Sequence, residues 1–298
     1  MIISALRKTL LQWLSVVFCL LASKVAAGTN VQSIVTLPPQ SGQETSHHYF
    51  TQLLELALLE TRAKFGEANI VYSRPYNQAG GMLELMRDGS KLDVLWSGSS
   101  ASREEHLLAV KIPLMKGLLG YRMPIIRQQD VEKFSAIKSI AQLKKFTACQ
   151  GRYWPDSDIL ESNGLTVKRF DENEDMFVAL SQGNCDYISL AVFEGQAELD
   201  ARKIRHTSLI YYQDLIIYYP FPMYFFVQRG QPELHNRIQS GLEKIISSGQ
   251  LNELMLKHAA TNFVFPLDLW INKSTIILKH NSLALDPKEL PPKLWILP

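Results

Sequence analysis

The stretch Met176–Leu190, MFVALSQGNCDYISL, has a counterpart earlier in the chain, Met82–Trp96, MLELMRDGSKLDVLW. Each begins with Met, reaches a Gly seven residues later, then an Asp, and ends in an apolar run. Met82–Arg87 and Glu172–Gln182 read as helices closed by glycine turns, and Asp93–Trp96 and Asp186–Leu190 as strands. The two units hold equivalent places in two longer successions. In the first, Val31–Leu37 and Ala68–Tyr72 are strands around a helix over Tyr49–Phe65, whose Phe50, Leu53, Leu54, Ala57 and Leu58 share one face. In the second, Phe146–Cys149 and Leu165–Phe170 are strands around a helix over Asp156–Asn163. A β-α-β-α-β order predicts a parallel sheet with helices on its faces. Its repetition predicts two similar α/β lobes.

Two segments suit passages between lobes. One is Gly117–Ile126, GLLGYRMPII; the other is Leu215–Val227, LIIYYPFPMYFFV, whose prolines fit poorly inside a central strand. A helix pair follows. Pro232–Ser247 carries Leu234, Ile238, Leu242, Ile245 and Ile246 on one face; Ser248-Gly249-Gln250 interrupts it, and Leu251–His258 continues. The residues beyond Ala260 are rich in proline and predict an extended wrap.

The chain has 298 residues, 46% of them hydrophobic, enough for one large domain or two lobes. Its first 27 residues combine Arg7 and Lys8, a short apolar run WLSVVFCLLAS, and the small residues Ala26-Ala27. This is the pattern of a secretory signal peptide cleaved after Ala27. The apolar run is short for a membrane span. Removing Arg7, Lys8 and Lys24 with the leader leaves 28 basic against 29 acidic residues. A near-neutral chain offers no electrostatic case for nucleic acid or an anionic membrane, although the whole-chain pI is about 8.3.

Cys149 and Cys185 remain after cleavage, and export makes a disulfide chemically possible. If both lie in neighbouring parallel strands, an offset of about three residues separates them by roughly 10 Å, beyond the ~7 Å limit for bridged Cα atoms. Two buried, reduced thiols are the expectation.

Several segments together resemble the amino-acid-type periplasmic solute-binding proteins of family 3. PELHNRIQSGLEKIISSGQLNELMLKH (Pro232–His258) resembles the helix pair that closes the family's first lobe. Leu143–Leu190 resembles its second lobe, and LDVLWSGSSASREEHLLAVKIPL (Leu92–Leu114) its first-lobe ligand turn. The resemblance covers nearly all of the chain after the leader. It implies an α/β clamshell of two lobes, each a mostly parallel sheet flanked by helices, with two hinge crossings. The implied division is lobe 1 over 28–119 and 222–270, lobe 2 over 120–221, and an extended tail over 271–298. It also implies a monomer in the periplasm, without cofactor or metal, that captures a small polar solute. The partner would be an inner-membrane permease complex or a sensor protein.

In the family, an Arg and hydroxyls of the first lobe take a ligand carboxylate, which a planar guanidinium matches with two bonds. Here Arg103 resembles that Arg, although counting from Asp93 puts Glu105 at the position; Ser97, Ser99 and Ser100 supply hydroxyls. Trp96 ends a strand directed at the cleft, where open α/β sheets bind ligands. Gln150, Gly151, Arg152, Tyr153 and Trp154 form the equivalent second-lobe turn, with helix-start N–H donors beyond it. The family's acidic strand-end residue, which takes an ammonium, falls on Ala191, with Glu194 three residues later. That departure points away from a plain amino acid as ligand.

Chemistry-bearing motifs are few. There is no GxSxG elbow and no phosphate loop ending in Gly-Lys. His47-His48 has no second ligand cluster at metal-binding spacing and reads as solvated loop. Glu104, Glu105, Asp156 and Glu194 could place a general acid in a closed cleft, so a dehydratase-like enzyme on the same clamshell is the alternative of a different class.

Overall fold

The computed structural model describes residues 31–39, 45–271, 273–280 and 293–296. The leader and its cleavage point lie outside these residues, as does 281–292 of the tail.

Lobe 1 starts with strands β1 (Gln32–Thr36) and β2 (Ala68–Tyr72), paired in parallel with Gln32 opposite Ala68. Helix α1 (Thr45–Glu60) connects them and buries Tyr49, Phe50, Leu53, Leu54, Ala57 and Leu58. It begins at Thr45, four residues before the expected start at Tyr49. It ends where Thr61 turns its hydroxyl back to the Ala57 and Leu58 carbonyls, so the long helix expected to Phe65 is broken. Helix α2 (Gln78–Met86) also starts early, capped by Asn77, whose side chain accepts from the Gly80 amide. Its Gly81 sits against Leu37, too close for a Cβ. Strand β3 (Val94–Gly98) follows, then the short helix α3 (Ala101–His106) and β4 (Leu107–Val110).

Lobe 2 holds β5 (Tyr121–Arg127), β6 (Thr147–Gly151), β7 (Thr166–Phe170), β8 (Tyr187–Ala191), β9 (Leu209–Tyr211) and β10 (Leu215–Tyr218). Helix α4 (Pro155–Ser162) joins β6 to β7, and α5 (Asn173–Ser181) joins β7 to β8. β6 runs parallel to β7 and β8; β5 runs antiparallel to β8 and β10. The chain then re-enters lobe 1 through Tyr219–Pro222. β11 (Met223–Gln228) lies between β3 and β4, antiparallel to both. Helix α6 (Pro232–Ser248), the left-handed Gly249 turn and α7 (Gln250–Lys257) complete that lobe. Finally β12 (Ser274–Ile277) adds to the edge of the lobe 2 sheet, parallel to β10. The chain therefore passes between lobes a third time, where two crossings and an extended tail were expected.

The internal repeat has a physical cause. In lobe 1 the Asp93 amide donates to the Val35 carbonyl at 2.9 Å, and its carboxylate accepts from the Val35 amide at 2.7 Å. In lobe 2 Asp186 makes the same pair of bonds with Thr147, at 2.7 and 2.8 Å. Each Asp thus pins the last strand of its unit onto the first. In lobe 1 this link replaces a ladder: β3 pairs with β11, and β1–β2 form a separate parallel pair. Gly89 and Gly183 precede these residues with φ of +70° and +77°, a conformation glycine adopts without strain.

The cysteine expectation is corrected. Cys149 and Cys185 form a disulfide with Cα atoms 5.8 Å apart. The three-residue offset holds, since Cys149 faces Ile188 across the ladder. Cys185, however, lies in the bend after α5, before β8 begins, and the bend carries it back towards β6. The bridge is buried among Ile125, Met176, Phe177, Leu180 and Ile188.

Candidate functional site

In lobe 1 the end of β3 and the start of α3 carry the predicted turn Ser97–Arg103. Ser100 caps α3, its side chain accepting from the Arg103 amide. The Ser99 hydroxyl donates to Glu104. Ser97 accepts from Arg103 Nη1 at 2.7 Å and from Gln78 Nε2 at 3.5 Å. Arg103 Nη1 also reaches the Gly98 carbonyl at 2.6 Å. Its side chain is buried, whereas Glu105 is exposed, so Arg103 is the residue directed inward from this turn. Burial pulls its pKa down to about 10, while Asp158 of α4 in the opposite lobe acts in the other direction. The guanidinium is charged at neutral pH. Among the described residues no hydrogen bond engages its Nε or Nη2.

Trp96 points to the other side of β3. It stacks on Phe50 of α1 at 5.4 Å and meets His47 and Phe225 edge-on. It is half-buried between helix and sheet and holds α1 in place. His47 is likewise corrected from solvated loop to helix interior: it is buried in the first turn of α1, with Nε2 2.8 Å from the Leu37 carbonyl. His48 lies 3.0 Å from His258. Among the described residues no group of three or more His, Cys, Asp and Glu is placed to hold a metal.

The predicted turn of lobe 2 combines packed and exposed residues. Gln150 is fully buried and donates to the Ser189 carbonyl, linking β6 to β8. Gly151 is required by Trp154, whose indole would meet a Cβ there at 2.6 Å. Trp154 in turn packs on the core around Cys149. Arg152 is exposed and forms a two-bond pair with Asp171, at 2.7 and 3.2 Å. Tyr153 is 65% exposed.

A different set of lobe 2 residues converges beside the crossings. Arg122, near the start of β5, is 3% exposed. Its Nη2 donates to Asp156 in the first turn of α4, its Nε to the Tyr219 hydroxyl at 3.0 Å, and its Nη1 approaches Glu194 at 3.5 Å. The Tyr219 hydroxyl also donates to Asp156. Burial raises the Tyr219 pKa, keeping it a neutral donor, although Arg122 pulls the other way. Phe221 lies next to this cluster, with the Arg122 guanidinium 5.6 Å from its ring centre. Its ring tip also covers Gly98 at the end of β3, leaving no room for a Cβ. One aromatic ring thus joins the lobe 1 turn to the lobe 2 charge cluster.

Glu194 belongs to the cluster as well. Its carboxylate folds back to 3.4 Å from the Ala191 amide, the strand-end position where the resemblance places an acid. Glu194 thus sets a carboxylate beside the end of β8, with its side chain 26% exposed. Arg122, Asp156 and Glu194 together carry a net negative charge, opposite in sign to Arg103.

No protein-family model matches the sequence, and no curated protein matches it either. Solved structures do. The chain is similar to a histidine kinase sensor domain that itself resembles periplasmic binding proteins, at 16% identity and a TM-score of 0.56, over 77% of this chain and 96% of that one. It is similar to the BvgS periplasmic VFT2 domain of Bordetella pertussis, at 15% identity and a TM-score of 0.53, over 78% and 94%. It is also similar to the substrate-binding protein of an amino acid ABC transporter, at 16% identity and a TM-score of 0.51, over 77% and 99%. The fold is therefore the two-lobed clamshell of periplasmic binding proteins.

Proposed function

We propose that this protein captures a small polar solute in the cleft between its lobes, outside the cytoplasm, and delivers it to a membrane transporter. The ligand class is an amino acid, an organic acid or a relative bearing a carboxylate. The observation that carries this reading is Arg103: a buried guanidinium fixed through Nη1 alone, with the rest of its fork uncommitted among the described residues. A carboxylate suits that fork in charge and in planar geometry. The net negative cluster around Glu194 suits a cationic group on the same ligand. Contacts from both lobes are what let a ligand favour closure. The amino acid transporter component of the same fold agrees with this class. Sensor domains also share the fold, so the alternative is that the captured solute is presented to a membrane signalling protein.

The test is a thermal-shift screen of the twenty amino acids and common small carboxylates, followed by calorimetry on each hit. At least one compound should raise the melting temperature, as any ligand specific to the native state must. Arg103→Ala removes two charge-assisted bonds worth about 1.5 kcal/mol or more each, so affinity for that compound should drop at least ~100-fold. Wild-type affinity in the variant would remove Arg103 from the site. A screen with no hit would count against solute capture.

A further inference from the structure

The described residues of the C-terminal segment, 261–271, 273–280 and 293–296, reach both crossings of the hinge. The segment leaves lobe 1 anchored: Thr261 is fully buried and donates to the Met255 carbonyl at 2.6 Å, and Val264 is buried beside it. It then becomes the outer strand of lobe 2, with Leu215 to Tyr218 paired to Ser274 to Ile277. The Leu278 amide continues this pairing to the Tyr218 carbonyl at 2.7 Å. Asn163, at the end of α4, grips the next residue from both sides, donating to the Lys279 carbonyl at 2.7 Å and accepting its amide at 2.9 Å. His280 stacks on Phe221 of the second crossing, ring centres 5.9 Å apart.

Lys293–Ile296 returns to the hinge. The Trp295 indole is buried and lies on Gly117, just before the first crossing, where a Cβ would meet the ring at 2.6 Å. Its Nε1 donates to the Tyr218 hydroxyl at 3.1 Å, just before the second crossing. The Ile296 amide donates to the Lys116 carbonyl at 2.8 Å, and the Tyr121 hydroxyl to the Ile296 carbonyl at 3.3 Å. One indole thus touches residues at the mouths of both crossings.

We propose that the C-terminal segment is a strap across the hinge that limits how far the lobes separate in the absence of ligand. Clamshell opening rotates the backbone of a few residues between lobes. Here those residues and the ones that flank them, 116–121 and 218–221, carry a wedged indole, a stacked imidazole and backbone bonds to a segment anchored on both lobes. Rotation must break these contacts. The strap therefore narrows the range of ligand-free states, and less of the ligand's binding free energy goes into closing the cleft. This holds whichever solute the cleft takes and does not rest on the role of Arg103.

The experiment is a double electron–electron resonance measurement on the full chain without ligand. Nitroxides are placed at Leu83→Cys in lobe 1 and Ile204→Cys in lobe 2, positions 69% and 95% exposed and away from the cleft residues named above. The parent should give one narrow distance distribution. Trp295→Ala and Asn163→Ala should each broaden it and add a longer-distance component, with circular dichroism unchanged. Distributions that superimpose on the parent's would overturn the proposal, as would a parent already broad. Should Trp295→Ala fail to fold, Asn163→Ala alone decides, because its side chain grips the strap from the end of a surface helix.

Discussion

The Arg122–Asp156 pair gives the sharpest quantitative expectation. Both side chains are almost fully buried, at 3% and 6% exposure. Asp156→Asn keeps the shape and removes the charge. Arg122 then retains the Tyr219 hydroxyl at 3.0 Å and Glu194 at 3.5 Å, the latter partly solvated. Removing one member of a buried pair costs about 3–5 kcal/mol, because the other charge is stranded. Glu194 offsets part of this, so about 3 kcal/mol is expected. Arg122→Met strands Asp156 and should cost a similar amount. The double variant strands neither, and its cost should fall short of the sum of the singles by about 1–3 kcal/mol. The assay is urea unfolding of all four proteins, read from the midpoint at constant slope. A cost for Asp156→Asn within about 0.5 kcal/mol, the size of an ordinary surface change, or single-variant costs that simply add, would refute the argument that this cluster is a tight buried unit.

Two further outcomes follow from the fold. The Cys149–Cys185 bridge closes a loop with a separation of 36 residues, for which chain entropy gives about 4 kcal/mol. Reduction, or replacement of both cysteines by Ala, should lower the melting temperature by about 10 °C, and an unchanged value would show that the bridge does not constrain the unfolded chain. Gly241→Ala in α6 would put a Cβ 2.2 Å from the Ala57 carbonyl of α1. Overpacking of this kind costs about 1–3 kcal/mol, against a gain of ~1 kcal/mol in helix propensity. Gly230→Ala, with open space around it, should be close to neutral, and equal effects at the two sites would reject the close-approach argument.

The fold was legible where its cause is local. The Met–Gly–Asp repeat could be read because each Asp, each glycine turn and each following strand lie within one short stretch. The burial of Arg103 beside Ser97 has a local cause of the same kind, since it sits in a turn with its own serines. What escaped were pairings between distant residues. Arg122 looks unremarkable inside GLLGYRMPII; its meaning lies in Asp156 and Tyr219, 34 and 97 positions away. Asp156 was visible as a first-turn acid, but an acid at a helix start is equally at home in solvent. The second-lobe turn reads two ways, because aromatic residues beside a glycine suit a ligand and a packed helix end alike; Trp154 lies over Gly151 and against the core. The disulfide was misjudged by extending β8 two residues too far. The tail strand was marked only by Ser274-Thr-Ile-Ile277, a β-prone run too short to show which sheet edge it joins.

Lobe 1 is assembled from the two ends of the chain, and this sets an order on its making. Arg237 of α6 is almost fully buried; its guanidinium bonds the Gln32 side chain, the Leu58 carbonyl of α1, and the Phe65 and Gly66 carbonyls just before β2. Gln32 and Arg237 are 205 positions apart. A chain that emerges from its amino end must leave the part of α1 around Ala57 and Leu58, which packs on α6, uncovered until almost everything else has been delivered. Most of lobe 2, being one continuous stretch, can fold and close its sulfur bridge in the meantime. That face of α1 is thus among the last surfaces of lobe 1 to be covered, and stays open to proteases and aggregation during biogenesis.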